Sequence, residues 1–310
     1  MSEYTQHDVP KTDRIHFMSV WWSNIQILES DGHFAFVDTG LPGDYPRIAA
    51  YLEYLGVKEL DFILVSHFHN DHFGSCAELV RHFPTKTVYF KPYSNVEHVS
   101  GGGTEMSAEG RAAIKNEYLQ LLDTLREYSE VVLIYPEMPP LMLGSMRCMV
   151  YNADNILQKM YTDETSEYAH QYVFNENNNS AMVYVESKNG ASALLTSDCY
   201  NEPLTYLPGR HVICRTAKNI GHKIDVYTLA HHGCGEFTTQ ETAQLLCPDI
   251  VFTTGGEDDM LHSKNYQYLH AANPNAKFYA TQGYTFVVHM DGPGQTYVTR
   301  EKEIPPKEGQ

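Results

Sequence analysis

Three histidines and one aspartate, His67, His69, Asp71 and His72, lie within six consecutive positions, directly after the apolar run at 62–65. The run Phe-Ile-Leu-Val is short, β-prone and uninterrupted, which is typical of a buried strand. The polar cluster therefore lies on the loop that leaves this strand, where α/β folds place their chemistry. Imidazole nitrogens and carboxylate oxygens together are ligands that divalent metals favour. This feature predicts a metal site at a strand end of an α/β fold.

The rest of the chain alternates between strand patterns and helix patterns. Turn residues between apolar runs predict hairpins around residues 30–33 and 188–190. Apolar residues at spacings of three and four predict helices over 45–55, 76–83, 107–128, 240–246 and 266–271. Further strands are predicted at 87–90, 225–230 and 250–253, followed by a strand pair formed by 277–280 and 285–289.

Acidic or imidazole side chains stand where apolar strands stop, at Asp38, His67, Asp198 and His231. Two sheets that face each other, with helices outside, would gather these strand ends along one edge. We therefore expect one domain over residues 1–310, built from two repeated halves at about 1–150 and 151–300. A tail at 301–310 completes it.

Composition restricts the class of protein. The chain has 310 residues, is 42% hydrophobic and carries a net charge of −17 spread along its length. This length suffices for a substantial core, and the negative charge disfavours nucleic acid as a partner. No stretch approaches the ~20 apolar residues of a membrane span, and the N-terminus lacks a signal pattern. We expect a cytoplasmic protein without a membrane partner, and its oligomeric state stays open.

The ordered set of Asp38, the HFHNDH run, Asp198 and the His231-His232 pair resembles the metallo-β-lactamase superfamily. That resemblance implies an αββα sandwich of two mixed β-sheets with helices on the outer faces. The second half is similar to the branch that includes the hydrolase domain of the DNA-uptake competence protein, through segments 179–180, 194–198 and 224–233. The nearest similarity is to the catalytic domain of teichoic-acid phosphorylcholine esterases, through 27–40 and 55–65.

The resemblance implies two divalent metal ions. Zinc is the expected metal, and manganese and iron are the alternatives. His67 and His69 would bind the first ion, Asp71 and His72 the second, and Asp198 would bridge them. Many relatives have a further histidine on the first ion. The histidines of the corresponding interval, at positions 82, 98 and 170, have no matching context, so we expect a first ion open to solvent.

Five further residues belong to the expected site. One member of the His231-His232 pair would complete the second metal position, and the strand direction does not decide which. Asp38 would accept a hydrogen bond from a ligating histidine and fix its tautomer, or else cap a turn. His262 is a candidate proton donor to the leaving group, with a plain surface histidine as the alternative. Trp22 either packs in the core or forms one wall of a cage for a cationic group.

The expected activity is hydrolysis of a phosphate ester, such as a phosphorylcholine-type phosphodiester, by attack of a metal-bridging hydroxide. The catalytic candidates are Asp71, His231, His232 and His262. Two divalent ions, less two carboxylates and a hydroxide, leave a charge of about +1, which suits an anionic small-molecule ester carrying a choline-like cation. The alternatives are a nuclease, another hydrolase of this fold acting on thioesters or lactones, and a non-catalytic metal-binding protein.

Overall fold

The computed structural model describes most of the chain, namely residues 12–18, 22–95, 98–99, 104–105, 107–154, 176–200 and 211–301. The described strands, in chain order, are β1 (Arg14–Phe17), β2 (Ile25–Ser30), β3 (His33–Thr39), β4 (Leu60–Val65), β5 (Thr85–Phe90), β6 (His98–Val99), β7 (Thr104–Glu105), β8 (Glu130–Leu133), β9 (Leu141–Leu143), β10 (Met146–Tyr151), β11 (Met182–Glu186), β12 (Ser192–Leu195), β13 (Val226–Thr228), β14 (Ile250–Thr253), β15 (Lys277–Ala280), β16 (Phe286–His289) and β17 (Tyr297–Arg300).

The described α-helices are α1 (Tyr45–Leu55), α2 (Asn70–Phe73), α3 (Cys76–His82), α4 (Ala108–Arg126), α5 (Val212–Ile220), α6 (Gln240–Leu246), α7 (Glu257–His262) and α8 (Lys264–Ala272). Helix α1 ends at Gly56, whose left-handed backbone (φ 75°) lets its N–H bond to carbonyls of the last turn. Among the described residues, no helix is both long and apolar enough to cross a membrane.

The strands form two large mixed sheets. The first has the order β17-β16-β1-β2-β3-β4-β5-β8, and the second has the order β15-β14-β13-β12-β11-β10-β9. Strands β3, β4, β5 and β8 are parallel to one another, as are β12, β13, β14 and β15. Each sheet therefore has a set of carboxyl strand ends at one edge, which is where a site is expected.

The two sheets pack face to face. Phe62 and Leu64 of β4 point into the cluster between the sheets, whereas Ile63 and Val65 point toward the helices outside the first sheet. Phe17 of the first sheet stacks on Phe252 of the second, with ring centroids 4.0 Å apart. Both faces of β4 are buried, which explains its uninterrupted apolar run. The αββα sandwich expected from the sequence is confirmed.

The C-terminal strands do not pair as the sequence predicts. Strand β15 pairs with β14 at the edge of the second sheet, whereas β16 crosses to the first sheet and pairs with β1. The prediction of a 277–280 and 285–289 pair was therefore wrong. Both segments have strand composition, and composition does not specify which sheet edge a strand completes.

The sheets also do not divide at residue 150. Strand β9 precedes that position and β10 spans it, but both belong to the second sheet, while β16 and β17 return to the first. The assignment of residues 1–310 to one domain with two repeated halves and a tail at 301–310 stays a prediction.

Candidate metal centre

The histidine loop starts where β4 ends. The backbone N–H of Ser66 donates to Asp38 Oδ1 at 2.8 Å, which joins the ends of β3 and β4. His69 then has an extended backbone (φ −118°, ψ 144°) before the short helix α2 begins. A Cβ on Gly74 would collide with the carbonyl oxygen of Asn70 and with Pro42, so only glycine allows this close packing. The loop thereby turns its polar side chains toward the second sheet.

Four donors converge between the two sheets. Ligand atoms of Asp71, His72, Asp198 and His232 all lie within 4.8 Å of one another. His72 Nε2 is 3.2 Å from Asp198 Oδ1, and His232 Nε2 is 3.0 Å from Asp71 Oδ2. We call this group the second metal position. It combines residues that are 161 positions apart in sequence.

His67 and His69 form a neighbouring pair, which we call the first metal position. His67 Nε2 lies 3.0 Å from His69 Nδ1. The ring centroids of His67 and His72 are 4.2 Å apart, so the two positions adjoin. Of the histidines in the interval before Asp198, His82 lies at the exposed end of α3 beside Glu78, and position 170 lies outside the described residues. His98 lies in the described strand β6.

Asp38 supports the cluster from behind. Its side chain is fully buried, and its Oδ2 accepts a hydrogen bond from His72 Nδ1 at 2.7 Å. This bond fixes the tautomer in which the Nε2 lone pair of His72 faces the cluster. Asn24 also donates to Asp38 Oδ2, at 2.9 Å, and is itself held by Gln26. The hydrogen bond from His72 is the contact that the expected role of Asp38 requires, and the role stays a prediction.

The structure separates the two adjacent histidines. His232 is 7% exposed, and its Nδ1 donates to Thr254 Oγ1 at 2.7 Å, so that its Nε2 faces Asp71. The side chain of His231 is 31% exposed, and its Nε2 is 3.9 Å from Asp198. Rings of Tyr200 and Phe237 pack beside His231. His232 is therefore the member of the pair that joins the second metal position.

Two other candidates lie around the cluster. The ring of Trp22 meets the ring of His232 edge-on, with centroids 6.1 Å apart, and is 37% exposed. Trp22 therefore lines the rim of the site and is not a core residue. His262 ends α7 with an exposed ring, and its Nδ1 donates to the carbonyl of Asp258 at 2.7 Å. The structure does not bring His262 into the cluster.

Sequence reasoning missed two hydroxyl groups of the site. Thr254 follows β14 and orients His232, and Ser197 directly precedes Asp198 with its Oγ 3.2 Å from Asp38 Oδ2. Both stand at carboxyl strand ends, which is the one signal that would have suggested them. Serine and threonine are common at strand ends for other reasons, so the signal is weak.

Charge distinguishes the two positions. Burial opposes protonation of His232, but the carboxylates of Asp198 and Asp71 outweigh it and raise its pKa to about 9. The pKa of His72 is likewise raised, against burial, by Asp198, Asp38 and Asp71. Burial, together with the neighbouring histidines, holds the pKa of His67 well below its usual range. The second position therefore concentrates charge, while His67 of the first position offers a neutral imidazole.

The residues fit divalent metal ions. His72 Nε2 is buried and has no hydrogen-bond partner among the described residues, although three carboxylates surround its ring. Asp71 and Asp198 keep lowered pKa values despite burial, because His72 and His232 lie beside them. Two imidazoles and two carboxylates around one point form a donor set suited to zinc, manganese or iron.

Comparison with known proteins agrees with this description. Residues 22–140 match the family model of the metallo-β-lactamase superfamily. The crystal structure of the metallo-β-lactamase fold protein YhfI from Bacillus subtilis superposes with a TM-score of 0.52 at 11% identity, covering 89% of this chain and all of that one. The chain has the metallo-β-lactamase fold, and the findings support that superfamily.

Two curated relatives are similar over parts of the chain. ComE operon protein 3 of Bacillus subtilis (strain 168) is 23% identical over 223 residues, which are 71% of this chain and 23% of that protein. A hydroxyacylglutathione hydrolase of Vibrio parahaemolyticus serotype O3:K6 (strain RIMD 2210633) is 47% identical over 64 residues, or 20% of this chain and 23% of that protein. The chain thus spans under a third of the length of the curated relatives it matches.

Proposed function

We propose that this protein is a dinuclear metal-dependent hydrolase of a phosphate ester. The observation that carries the proposal is the adjacency of the two metal positions, whose histidines His67 and His72 have ring centroids 4.2 Å apart. Two divalent ions bound this close together would activate a water molecule and stabilise the charge that develops on the ester. The cytoplasmic location expected from the sequence stays a prediction.

The protein's own residues would divide the work. Asp71 and Asp198 supply the negative charge that holds two cations, and His67 and His69 add neutral nitrogen donors. His231 stands at the mouth, where burial lowers its pKa, so its ring is neutral at pH 7. A neutral imidazole has one N–H to donate, and we assign His231 to hold a phosphoryl oxygen. His231 therefore takes the place of His262 as the proposed catalytic histidine that is not a metal ligand.

A phosphorylcholine-type diester is the sharpest form of the proposal. A cavity of about 400 Å³ adjoins the cluster and is lined by Trp22, Thr254, Gly255, Gly256, Glu257, Asp258, Asp259 and Gln282. The residues that line it include one tryptophan and three acidic residues. A quaternary ammonium is attracted by both, and a desolvated cation–π contact contributes ~1 to 2 kcal/mol. The anionic phosphate would face the metals while the cationic group enters this cavity.

Turnover of defined esters tests the proposal. Protein reconstituted with two zinc equivalents should hydrolyse 4-nitrophenyl phosphorylcholine faster than bis(4-nitrophenyl) phosphate, and EDTA should remove both activities. Turnover measured on a thioester, a lactone and a β-lactam identifies the class of reaction that the protein catalyses. Absence of phosphodiester turnover, in protein shown to bind two metal ions, would contradict the proposed activity.

A thioesterase is the second candidate function. The relative named hydroxyacylglutathione hydrolase is 47% identical over its 64 matched residues, which favours this reaction class. A thioester such as S-lactoylglutathione carries its one ammonium beside a carboxylate and is a net anion, so the acidic cavity favours the phosphorylcholine diester with its quaternary ammonium. A nuclease is less favoured still, because a net charge of −17 opposes binding of a polyanion. Comparison of nicked-plasmid formation with small-diester turnover separates these activities.

A further inference from the structure

A pair of buried serines lies between the two metal positions. Ser66 follows β4 and Ser197 follows β12, so the two residues come from different sheets and are 131 positions apart in sequence. Their Oγ atoms are 2.6 Å apart, and they are 0% and 6% exposed. At this distance one hydroxyl must donate a hydrogen bond to the other. The pair therefore links the edges of the two sheets directly behind the metal donors.

Both serines also contact Asp38. Ser66 Oγ lies 2.9 Å and Ser197 Oγ lies 3.2 Å from the same carboxylate oxygen, Oδ2. Ser66 Oγ additionally lies 3.0 Å from Nδ1 of His67, a residue of the first metal position. Asp38 Oδ2 already accepts a hydrogen bond from His72, which belongs to the second position. One carboxylate thus touches ligands of both positions, one directly and the other through a hydroxyl.

The count of protons gives this network a direction. If His67 binds a metal through Nε2, its Nδ1 carries a proton and donates it to Ser66 Oγ. Ser66 can then donate only its own proton, either to Asp38 or to Ser197. In the second case Ser197 donates to Asp38. In every permitted arrangement the last hydrogen bond of the chain is therefore accepted by Asp38, because a carboxylate can only accept hydrogen bonds.

We propose that Ser66 and Ser197 are positioning residues that connect His67 to Asp38, so that one buried carboxylate orients a ligand of each metal position. The inference rests on the proposed metal site but not on the identity of the ester. Loss of the Ser66 hydroxyl leaves the direct bond from His72 to Asp38 in place, and the Ser66 backbone N–H still donates to Asp38 Oδ1. Ser66→Ala should therefore weaken the first metal position selectively.

Metal titration of variants tests this connection. In the full-length protein, zinc binding followed by calorimetry should resolve two events. Ser66→Ala should weaken the event assigned to the first position by roughly 10-fold or more, within the range for supporting residues of metal ligands. The other event should change less than about 3-fold. Asp38→Ala should weaken both events, and Ser66→Thr, which keeps a hydroxyl, should restore the affinity lost in Ser66→Ala.

Ser75→Ala is the matched control. Ser75 is as buried as Ser66, but its hydroxyl donates to the carbonyl of Leu41 at 2.6 Å and contacts neither His67 nor His72. Its substitution should lower stability while leaving both zinc affinities unchanged. If folded Ser66→Ala keeps both affinities, or loses both equally, the proposed connection is wrong.

A spectroscopic measurement on unchanged protein covers the case in which Ser66→Ala does not fold. In zinc-loaded protein with ¹⁵N-labelled histidine, His67 should show a protonated Nδ1 that is protected from exchange, and a metal-bound Nε2. A His67 bound through Nδ1 would overturn the inference. Unchanged protein that binds two zinc ions without hydrolysing any ester refutes the proposed function only, whereas protein that binds no zinc refutes both proposals.

Discussion

The two metal positions differ in how they would attract a cation. The second position sets Asp71 and Asp198 against His72 and His232, with all four donors inside 4.8 Å and all but Asp71 buried. The first position has two imidazoles, of which His67 is neutral because burial lowers its pKa. Carboxylate charge therefore favours binding of the first metal ion at the second position. That ion must displace the protons that His72 and His232 hold because of their raised pKa values. At His67 a metal ion binds without that competition, but the first position has no carboxylate of its own.

Removing Asp198 from the second metal position should have the largest effect. Asp198 lies 3.2 Å from His72 Nε2 and 3.5 Å from His232 Nε2, so Asp198→Ala should leave the second position with one of its two carboxylates. We expect phosphodiester turnover to fall at least ~10³-fold, because both ions take part in the reaction. Zinc content measured by mass spectrometry should fall below two per chain.

Asp123→Ala is the control for that loss. Asp123 lies on α4 with 75% of its side chain exposed and pairs with Arg126. Its substitution should change neither zinc content nor turnover. An Asp198→Ala protein that still binds two zinc ions and turns over normally would remove Asp198 from the site.

A substitution in the first position should have a smaller effect. His69→Ala removes one of two imidazoles but leaves the four donors of the second position, so one tightly bound zinc should remain. Turnover should fall roughly 10²-fold, since one ion can still activate water. His82→Ala, which alters an exposed histidine beside Glu78, is the matched control. Loss of both zinc ions in His69→Ala would show that the positions do not load independently.

The pH dependence of the unfolding free energy should also distinguish the second position from the first. In metal-free protein the carboxylates outweigh burial and raise the pKa of His232 from 6.5 to about 9. A raised pKa stabilises the folded state fully below about pH 6.5, and this stabilisation disappears as the pH rises through 9. The shift corresponds to at most about 3 kcal/mol of unfolding free energy.

Urea unfolding at pH 6.5 and pH 9 measures that loss. EDTA-treated protein should be less stable at pH 9, and zinc should suppress the difference because the metal replaces the proton. His232→Gln should abolish the pH dependence assigned to this residue. Equal stability of the metal-free protein at both pH values would contradict the charge difference between the two positions.

The smallest expected effect is on KM, through the contact between Trp22 and the cation of the substrate. Trp22 stands beside His232, on the side of the second position. Trp22→Ala should raise KM for 4-nitrophenyl phosphorylcholine about 5- to 10-fold, as expected for loss of a cation–π contact. KM for bis(4-nitrophenyl) phosphate, which carries no cation, should not change, and Trp22→Phe should retain part of the preference. Equal changes in KM for both esters would exclude the indole from cation recognition.

Local patterns predicted local structure well. Helix α1 begins and ends at the predicted residues, because apolar spacing gives the helix and Gly56 gives its end. The histidine loop was also predictable, since the buried strand β4 and the ligand residues are contiguous in sequence. The pairing of strands could not be predicted in the same way. Strands β15 and β16 are neighbours in sequence but lie in different sheets.

The choice between His231 and His232 shows the same limit within the site. Both histidines have positive φ angles, 51° and 56°, so the chain turns sharply at each and a strand's alternation no longer says where a side chain points. Contact with Thr254 decides the orientation of His232, and Thr254 directly follows β14, the next strand of the sheet. Such long-range contacts leave no pattern in the local sequence.

The crossing of β16 to the first sheet has a consequence for biogenesis. Residues 22–140 include the whole histidine loop. Strand β1 pairs on one side with β2 and on the other with β16, and the residues of β16 are synthesised near the end of the described chain. A nascent chain that has emerged only through residue 140 therefore exposes one edge of β1, and unpaired edges invite association between chains. It also lacks Asp198 and His232. Protection of that edge and assembly of the metal centre must both await synthesis of the later strands.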